Sequence, residues 1–291
     1  MNKISFFLFY IFAWFIAILP VRLQYLFSDG VFVIAYYLIG YRRNVVMQNL
    51  KNAFPEKTET ELHIIEKKYY QHLVDVFIEV LAMFSLNEKR MQKRHKFINI
   101  ELLQNLYDKN VGIVGVSGHY NNWEWLNFLN SKVNYIGLAI FKPISNPLYE
   151  NFMNKIREKF GSLAVSMNNT LREIIEQKRK GKLPFVLMVS DQAPSYTEKN
   201  YWTQFLNQET LFFTGVEKIA KKYNFAVVFI KMRKIKRGYY ETTFELITEE
   251  PLKTEEYFIT KQYVEKLEEL IKENPNYWLW SHKRWKNKRQ I

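Results

Sequence analysis

The sequence predicts an α/β fold, a central sheet flanked by helices, preceded by an N-terminal membrane-associated helical segment. Three observations predict it. Short apolar runs alternate with stretches of helical period from residue 111 to residue 273, the pattern of a sheet whose faces are covered by helices. The length of 291 residues suits one large core with a small appendage. Residues 4–19 and 31–41 carry no charge and stand apart from that alternation. The expected organisation is therefore an anchoring or interfacial segment at 1–41 and one domain at 42–291, with a helical lead-in at 42–95 and an α/β core at 96–291.

Ile4 to Leu19 is an uncharged run of 16 residues ending at Pro20. A perpendicular membrane span needs about 20 residues, so the run fits a short span or a helix lying in the interface. The second apolar run lies between Asp29 and the basic pair Arg42 and Arg43, as expected for a segment lodged at a membrane surface. A cleaved signal peptide competes with this reading, but no small-x-small pattern follows the apolar core. Val45, Val46, Leu50 and Phe54 then recur at helical spacing until Pro55. Thr58 to Thr60 with Glu61 mark the cap of a second helix reaching Phe84, with Ile64, Tyr69, Leu73, Phe77 and Leu81 on its apolar face. Strands are expected at 111–118, 134–140, 183–190, 226–234 and 240–247, and helices at 121–131, 147–160, 169–180, 214–223 and 255–273.

Composition narrows the partners. Hydrophobic residues make up 48% and aromatics 17%, more than an interior alone requires, which points to contact with lipid. Lys and Arg outnumber Asp and Glu by 42 to 29, a net charge of +13, so the partners should be anionic. The chain has no cysteine, which excludes disulfides, zinc–cysteine sites and thiol catalysis.

The stretch "GHYNNWEW" at 118–125 carries the candidate chemistry. His119 directly follows a predicted strand, and ligands in open α/β sheets bind at the carboxyl ends of strands. Glu124 lies five residues on, so in a continuous helix the two side chains diverge by about 140°. They can meet if His119 lies on the turn and Glu124 in the first helical turn. There the carboxylate would fix one imidazole tautomer while the other nitrogen removes a proton from an alcohol. Asn121 and Asn122 are candidate donors to an oxyanion or to substrate. A histidine that caps the helix, with tryptophans filling core, is the alternative left open at this point.

Other chemistries find less support. A nucleophile elbow at Ser117 would need glycine where His119 stands. His63, His72, His95 and His282 are scattered without metal-ligand spacing, and neither a Walker loop nor a G-x-G-x-x-G occurs. No metal or nucleotide cofactor is expected.

"GHYNNWEW" resembles the His-x4-acid motif of the bacterial lipid A biosynthesis (late) acyltransferases, in the lysophospholipid-acyltransferase-like superfamily. Four further landmarks are similar to that family in the same order: "RRNVVMQNLKNAFPE", "KPISNPLYENFMNKIREKFG", "SDQAP" and "YWLWSHKRWK". The resemblance implies a glycerophosphate-acyltransferase-like fold and a membrane-bound O-acyltransferase. Such an enzyme moves a fatty acyl chain from acyl carrier protein to a hydroxyl of a lipid A (lipopolysaccharide) precursor.

By this resemblance His119 is the general base and Glu124 its orienting partner. Asn122, Lys142, Arg157, Asp191 and Gln192 are substrate-binding candidates, Arg157 for a phosphate or the chain and Asp191 and Gln192 for shaping the pocket. Lys142 stands where the family often has arginine, and Asn207 where it has a glycine. The loss of a planar fork at Lys142 leaves the acceptor open, and a related acyltransferase acting on a lysophospholipid, an aminolipid or a pigment precursor is the alternative.

The implied partners are acyl carrier protein, an anionic lipid acceptor and the membrane, with the catalytic domain on the cytoplasmic side of the bacterial inner membrane. The basic stretch 282–289 is expected either to touch lipid phosphates or carrier protein, or to be a solvated tail. A binding protein without activity and a nucleic-acid binder, the latter suggested by basic residues among tryptophans, are rivals from other classes. The intact His119 and Glu124 and the apolar N-terminus argue against them.

Overall fold

The computed structural model describes residues 3–194, 201–287 and 289. An N-terminal helical layer consists of α1 (Lys3–Ile18), α2 (Val21–Val33, continuing as a π-helical turn to Ile39), α3 (Arg43–Ala53) and α4 (Glu59–Ala82). The rest runs α5 (Glu88–Arg94), β1 (His95–Phe97), α6 (Glu101–Asp108), β2 (Ile113–Ser117), a 3₁₀ helix (Trp123–Ser131), β3 (Ile136–Phe141), α7 (Pro147–Glu158), β4 (Leu163–Ser166), α8 (Thr170–Arg179) and β5 (Pro184–Val189). A hairpin of β6 (Tyr201–Phe205) and β7 (Gln208–Phe212) follows, then α9 (Gly215–Tyr223), β8 (Ala226–Lys236), β9 (Tyr239–Thr248) and α10 (Phe258–Glu273).

Seven strands form one sheet in the order β1-β9-β8-β2-β5-β3-β4, parallel throughout except for the β8–β9 hairpin. β2 lies between β8 and β5 and is buried along its whole length, which is why it reads as an unbroken apolar run. The five expected strands and four of the five expected core helices, at 147–160, 169–180, 214–223 and 255–273, are present. The segment expected as a helix at 121–131 begins instead with a turn and continues as the 3₁₀ helix.

β1, β4 and the β6–β7 hairpin were not expected. β1 and β4 have three and four residues, too few to show alternation. The hairpin turns at Leu206 and Asn207, both with positive φ, 50° and 59°, as a two-residue type I′ hairpin requires. Asn207 occupies the position where the resemblance expects glycine, and asparagine is among the few side chains that adopt this conformation readily.

The N-terminal layer accounts for another departure. The capping box of Thr58 and Glu61 starts α4 as expected, but Ile64 and Phe77 on the predicted apolar face are half exposed. The buried side of α4 carries Glu66, Asp75 and Glu79, each with its own partners. Arg43 pairs with Glu66, and Arg237 joins Asp75 to Asp29. Leu73, Phe77 and Leu81 instead open on a cavity. Burial on α4 is thus decided by satisfied ion pairs as much as by hydrophobicity.

Candidate functional site

The parallel pairing of β2 and β5 builds the site. Ser117 is in register with Val189, and the ladder continues one step further through Ser190 N–H to the Ser117 carbonyl at 3.0 Å. Two residues past each strand end, His119 and Asp191 therefore face one another although 72 positions separate them. Gly118 permits the approach: a Cβ there would lie 2.6 Å from Leu267 and 3.1 Å from an Asp191 carboxylate oxygen.

Asp191 receives three donors. The His119 backbone N–H donates to Oδ2 at 2.8 Å, the Trp278 indole donates to Oδ2 at 2.7 Å, and His119 Nδ1 lies 2.5 Å from Oδ1. Burial pushes the carboxyl pKa up, but the charge and hydrogen bonds of His119, with the Trp278 indole, outweigh it and hold the group below the usual carboxylate value. An ionised Asp191 fixes the proton on Nδ1 and leaves Nε2 as the acceptor and base. The Gln192 amide nitrogen lies 3.2 Å from Nε2, and the Trp123 ring meets the imidazole edge-on with centroids 5.0 Å apart.

Glu124 is therefore not the group on the imidazole, a correction to the expected pairing. Its carboxylate accepts two parallel bonds from Arg157, at 3.0 Å from Nε and 2.7 Å from Nη2. Burial lowers the Arg157 pKa and the adjacent carboxylate more than restores it. The reason is angular: Tyr120 to Asn122 form a turn, with Asn121 at φ 54°, so the 3₁₀ helix starts in a direction that aims Glu124 at α7.

Asn121 and Asn122 are also corrected. Both amides are buried and turned inward, Asn121 donating to the Met232 carbonyl and Asn122 to Glu79, each at 2.8 Å. They brace the turn from below. Glu79 accepts from Asn122, Tyr25 and Tyr240, and burial raises its pKa against the pull of Arg94.

His119, Glu124, Lys142, Arg157 and Gln192 line a common cavity of about 230 Å³. Of the expected site residues, Asp191 stands behind the imidazole and Asn122 lies outside this lining. Trp123, Glu124 and Gln192 also line a second, largely apolar cavity of about 430 Å³, whose walls include Phe9 of α1 and Leu73, Phe77 and Leu81 of α4. The polar cavity holding the base and the apolar cavity thus share a wall.

The segment after α10 closes over the site. Leu279 N–H donates to the His119 carbonyl and Asn121 N–H to the Tyr277 carbonyl. Arg284 is buried, donating to the Leu211 carbonyl with its guanidinium over the Phe212 ring, so residues 282–285 are not a solvated tail. His282 accepts from the Ala193 N–H, and burial lowers its pKa to about 4. Trp278 and Glu79, which the sequence reading did not single out, gave no local signal, because their partners lie on distant segments.

The family profile described as bacterial lipid A biosynthesis acyltransferase matches residues 1–287. The chain belongs to that family. Among curated relatives, lipid A biosynthesis acyltransferase 2 of Shigella flexneri is 24% identical over 150 residues, 52% of this chain and 48% of the relative. A lipid A biosynthesis acyltransferase of Haemophilus influenzae is 21% identical over 180 residues, 62% and 56% of the two chains. The lipid A biosynthesis myristoyltransferase of Escherichia coli is 20% identical over 156 residues, 54% and 48%. The aligned part spans about half the length of these relatives.

Proposed function

We propose that this protein is a membrane-associated O-acyltransferase that transfers a fatty acyl chain from acyl carrier protein to a hydroxyl of an anionic lipid A precursor. The observation that carries the reading is the His119–Asp191 pair at adjacent strand ends, beside a cavity that shares a wall with an apolar one. Nε2 of His119 takes the proton of the acceptor hydroxyl as its oxygen attacks the thioester carbonyl. Collapse of the tetrahedral intermediate breaks the carbon–sulfur bond, and the departing thiolate takes the proton from the imidazolium. Asp191 orients the imidazole and stabilises its charged form.

Arg157, held in place by Glu124, and Lys142 supply positive potential for the developing oxyanion or an acceptor phosphate. Gln192 is a neutral donor next to the base. A thioester is already activated, so positioning and one base suffice without metal or nucleotide. Lipid chains occupy the apolar cavity.

Membrane association rests on the exposed apolar residues of α1, α2 and the π-helical turn, among them Phe7, Leu8, Leu26, Leu38 and Ile39. Among the described residues no single helix is long and apolar enough to cross a membrane, although Val21–Ile39 and Arg43–Ala53, bent by 90° at the break, together have the length and apolar composition of a broken span. One face of α1 packs on α4 and on Tyr149 and Phe152, which favours a helix lying in the interface. The net charge of +13 suits both an acidic carrier and an anionic bilayer. The proposed location is the cytoplasmic side of the inner membrane.

Mass spectrometry of total lipid A from the native host with and without the gene tests the reading. Loss of one secondary acyl chain, restored by wild type but not by His119→Ala, is the expected result. An unchanged lipid A profile in a host without a redundant enzyme overturns the acceptor.

A further inference from the structure

Arg42 and Arg43 are adjacent in sequence and opposite in circumstance. Arg43 is neutralised by the buried Glu66 through two hydrogen bonds. Arg42 makes no ion pair among the described residues. Among the described residues its side chain makes one hydrogen bond, from Nη1 to the Ser281 carbonyl 3.1 Å away, which orients the guanidinium without cancelling its charge. Its backbone lies in the left-handed region at φ 54°, a conformation that costs a non-glycine residue about 1 kcal/mol and is found preferentially where function requires it.

Arg42 lines the apolar cavity of about 430 Å³. The cavity's other ionisable groups do not offset it. Glu124 is engaged by Arg157, and His282 is held neutral as an acceptor of the Ala193 N–H. Arg42 is also the N-cap residue of α3, an 11-residue helix with no side-chain cap, so the positive end of that helix dipole lies at the Arg42 backbone. The two Asn49 donors fix α3 to the Trp280 and His282 carbonyls, so the rim that carries Arg42 is anchored to the segment closing the site.

We propose that Arg42 is the anion seat of a lipid subsite: the apolar cavity takes a hydrocarbon chain, and Arg42 binds the phosphate attached to that same molecule. The assignment rests on the acyl-transfer reading for its biological substrate. The ligand class itself, a single-chain phosphate amphiphile, follows from the cavity and its uncompensated charge.

The test is binding rather than turnover, so its failure and the failure of the acyl-transfer reading are distinguishable. Full-length protein in neutral detergent is titrated with lysophosphatidate and with the monoglyceride of the same lauroyl chain. Wild type should prefer the phosphate amphiphile about tenfold, the size of one charge-assisted contact, and the preference should shrink with added salt. Arg42→Gln should abolish the preference while leaving monoglyceride affinity unchanged. Leu73→Trp, which fills the cavity, should weaken both ligands.

Inorganic phosphate alone should compete poorly with lysophosphatidate. Equal affinity of wild type for the two amphiphiles overturns the proposal without any variant. A preference that survives Arg42→Gln also overturns it. Competition by inorganic phosphate as strong as that by lysophosphatidate would indicate a free-anion site and would overturn the lipid assignment.

Discussion

Asp191 and Glu124 are two buried carboxylates near one imidazole, the first in contact with it and the second lining the same cavity, and they differ in what faces them. Asp191 meets a histidine and an indole; Glu124 meets a guanidinium in a two-point grip. The first pairing leaves a nitrogen lone pair available for proton transfer. The second locks a permanent cation at the cavity wall. The two acids have different partners, and in this chain the residue at the acid position of the His-x4-acid spacing holds Arg157 while Asp191 touches the imidazole.

Replacing each acid by its amide would test this difference. Asp191→Asn should lower kcat about 10³-fold or more, because an amide can no longer hold the proton on Nδ1, while the protein still associates with membranes; acyl transfer from labelled acyl carrier protein measures it. Normal turnover in that variant would return the orienting role to Glu124. Glu124→Gln should reduce kcat less, with a visible loss of stability. Arg157→Met should cost about 3 kcal/mol in denaturant unfolding, because it leaves a buried carboxylate unpaired. A Glu124→Leu, Arg157→Met double variant more stable than Arg157→Met alone would show that the pair acts as a unit.

A smaller effect should appear in the pH dependence of stability. His282 has a folded pKa of about 4 against an ordinary 6.5, so its contribution is fully present above pH 6.5 and is lost as pH falls from there towards about 4. Asp191, held below the ordinary carboxylate value of 3.8, keeps its contribution through that window and loses it only at lower pH. The buried His72 and His95, whose pKa values burial also lowers, lose their contributions over the same window, so thermal unfolding followed from pH 7 to pH 4 should show a decline that His282→Gln reduces in part and Asp191→Asn does not.

Much of this was legible in the sequence where one strand or helix carried the signal alone. The run 111–118 announced a buried strand, and its position before His119 announced a turn that faces a cavity. His119, Glu124, Lys142, Arg157 and Gln192 were all named as candidates and share one cavity. The partner of His119 was not legible, because it depends on β5 lying beside β2, and strand order is a property of the sheet. Asn121 and Asn122 misled for a related reason: a polar pair next to a histidine suggests a wet site, yet both amides satisfy buried groups on β8 and α4. The stripe Leu73, Phe77 and Leu81 had the correct period but lines a cavity: Leu81 is buried in the core as well, while Phe77 is half exposed.

The segment 277–284 has a temporal consequence. It supplies the indole that holds Asp191 and the backbone that braces His119 and Asn121, and it follows every strand of the sheet in order of synthesis. While the ribosome is still translating α10, the N-terminal apolar helices have already emerged and can reach the bilayer. The site around His119 is assembled only afterwards, so under the function proposed above attachment would precede competence in the life of each molecule.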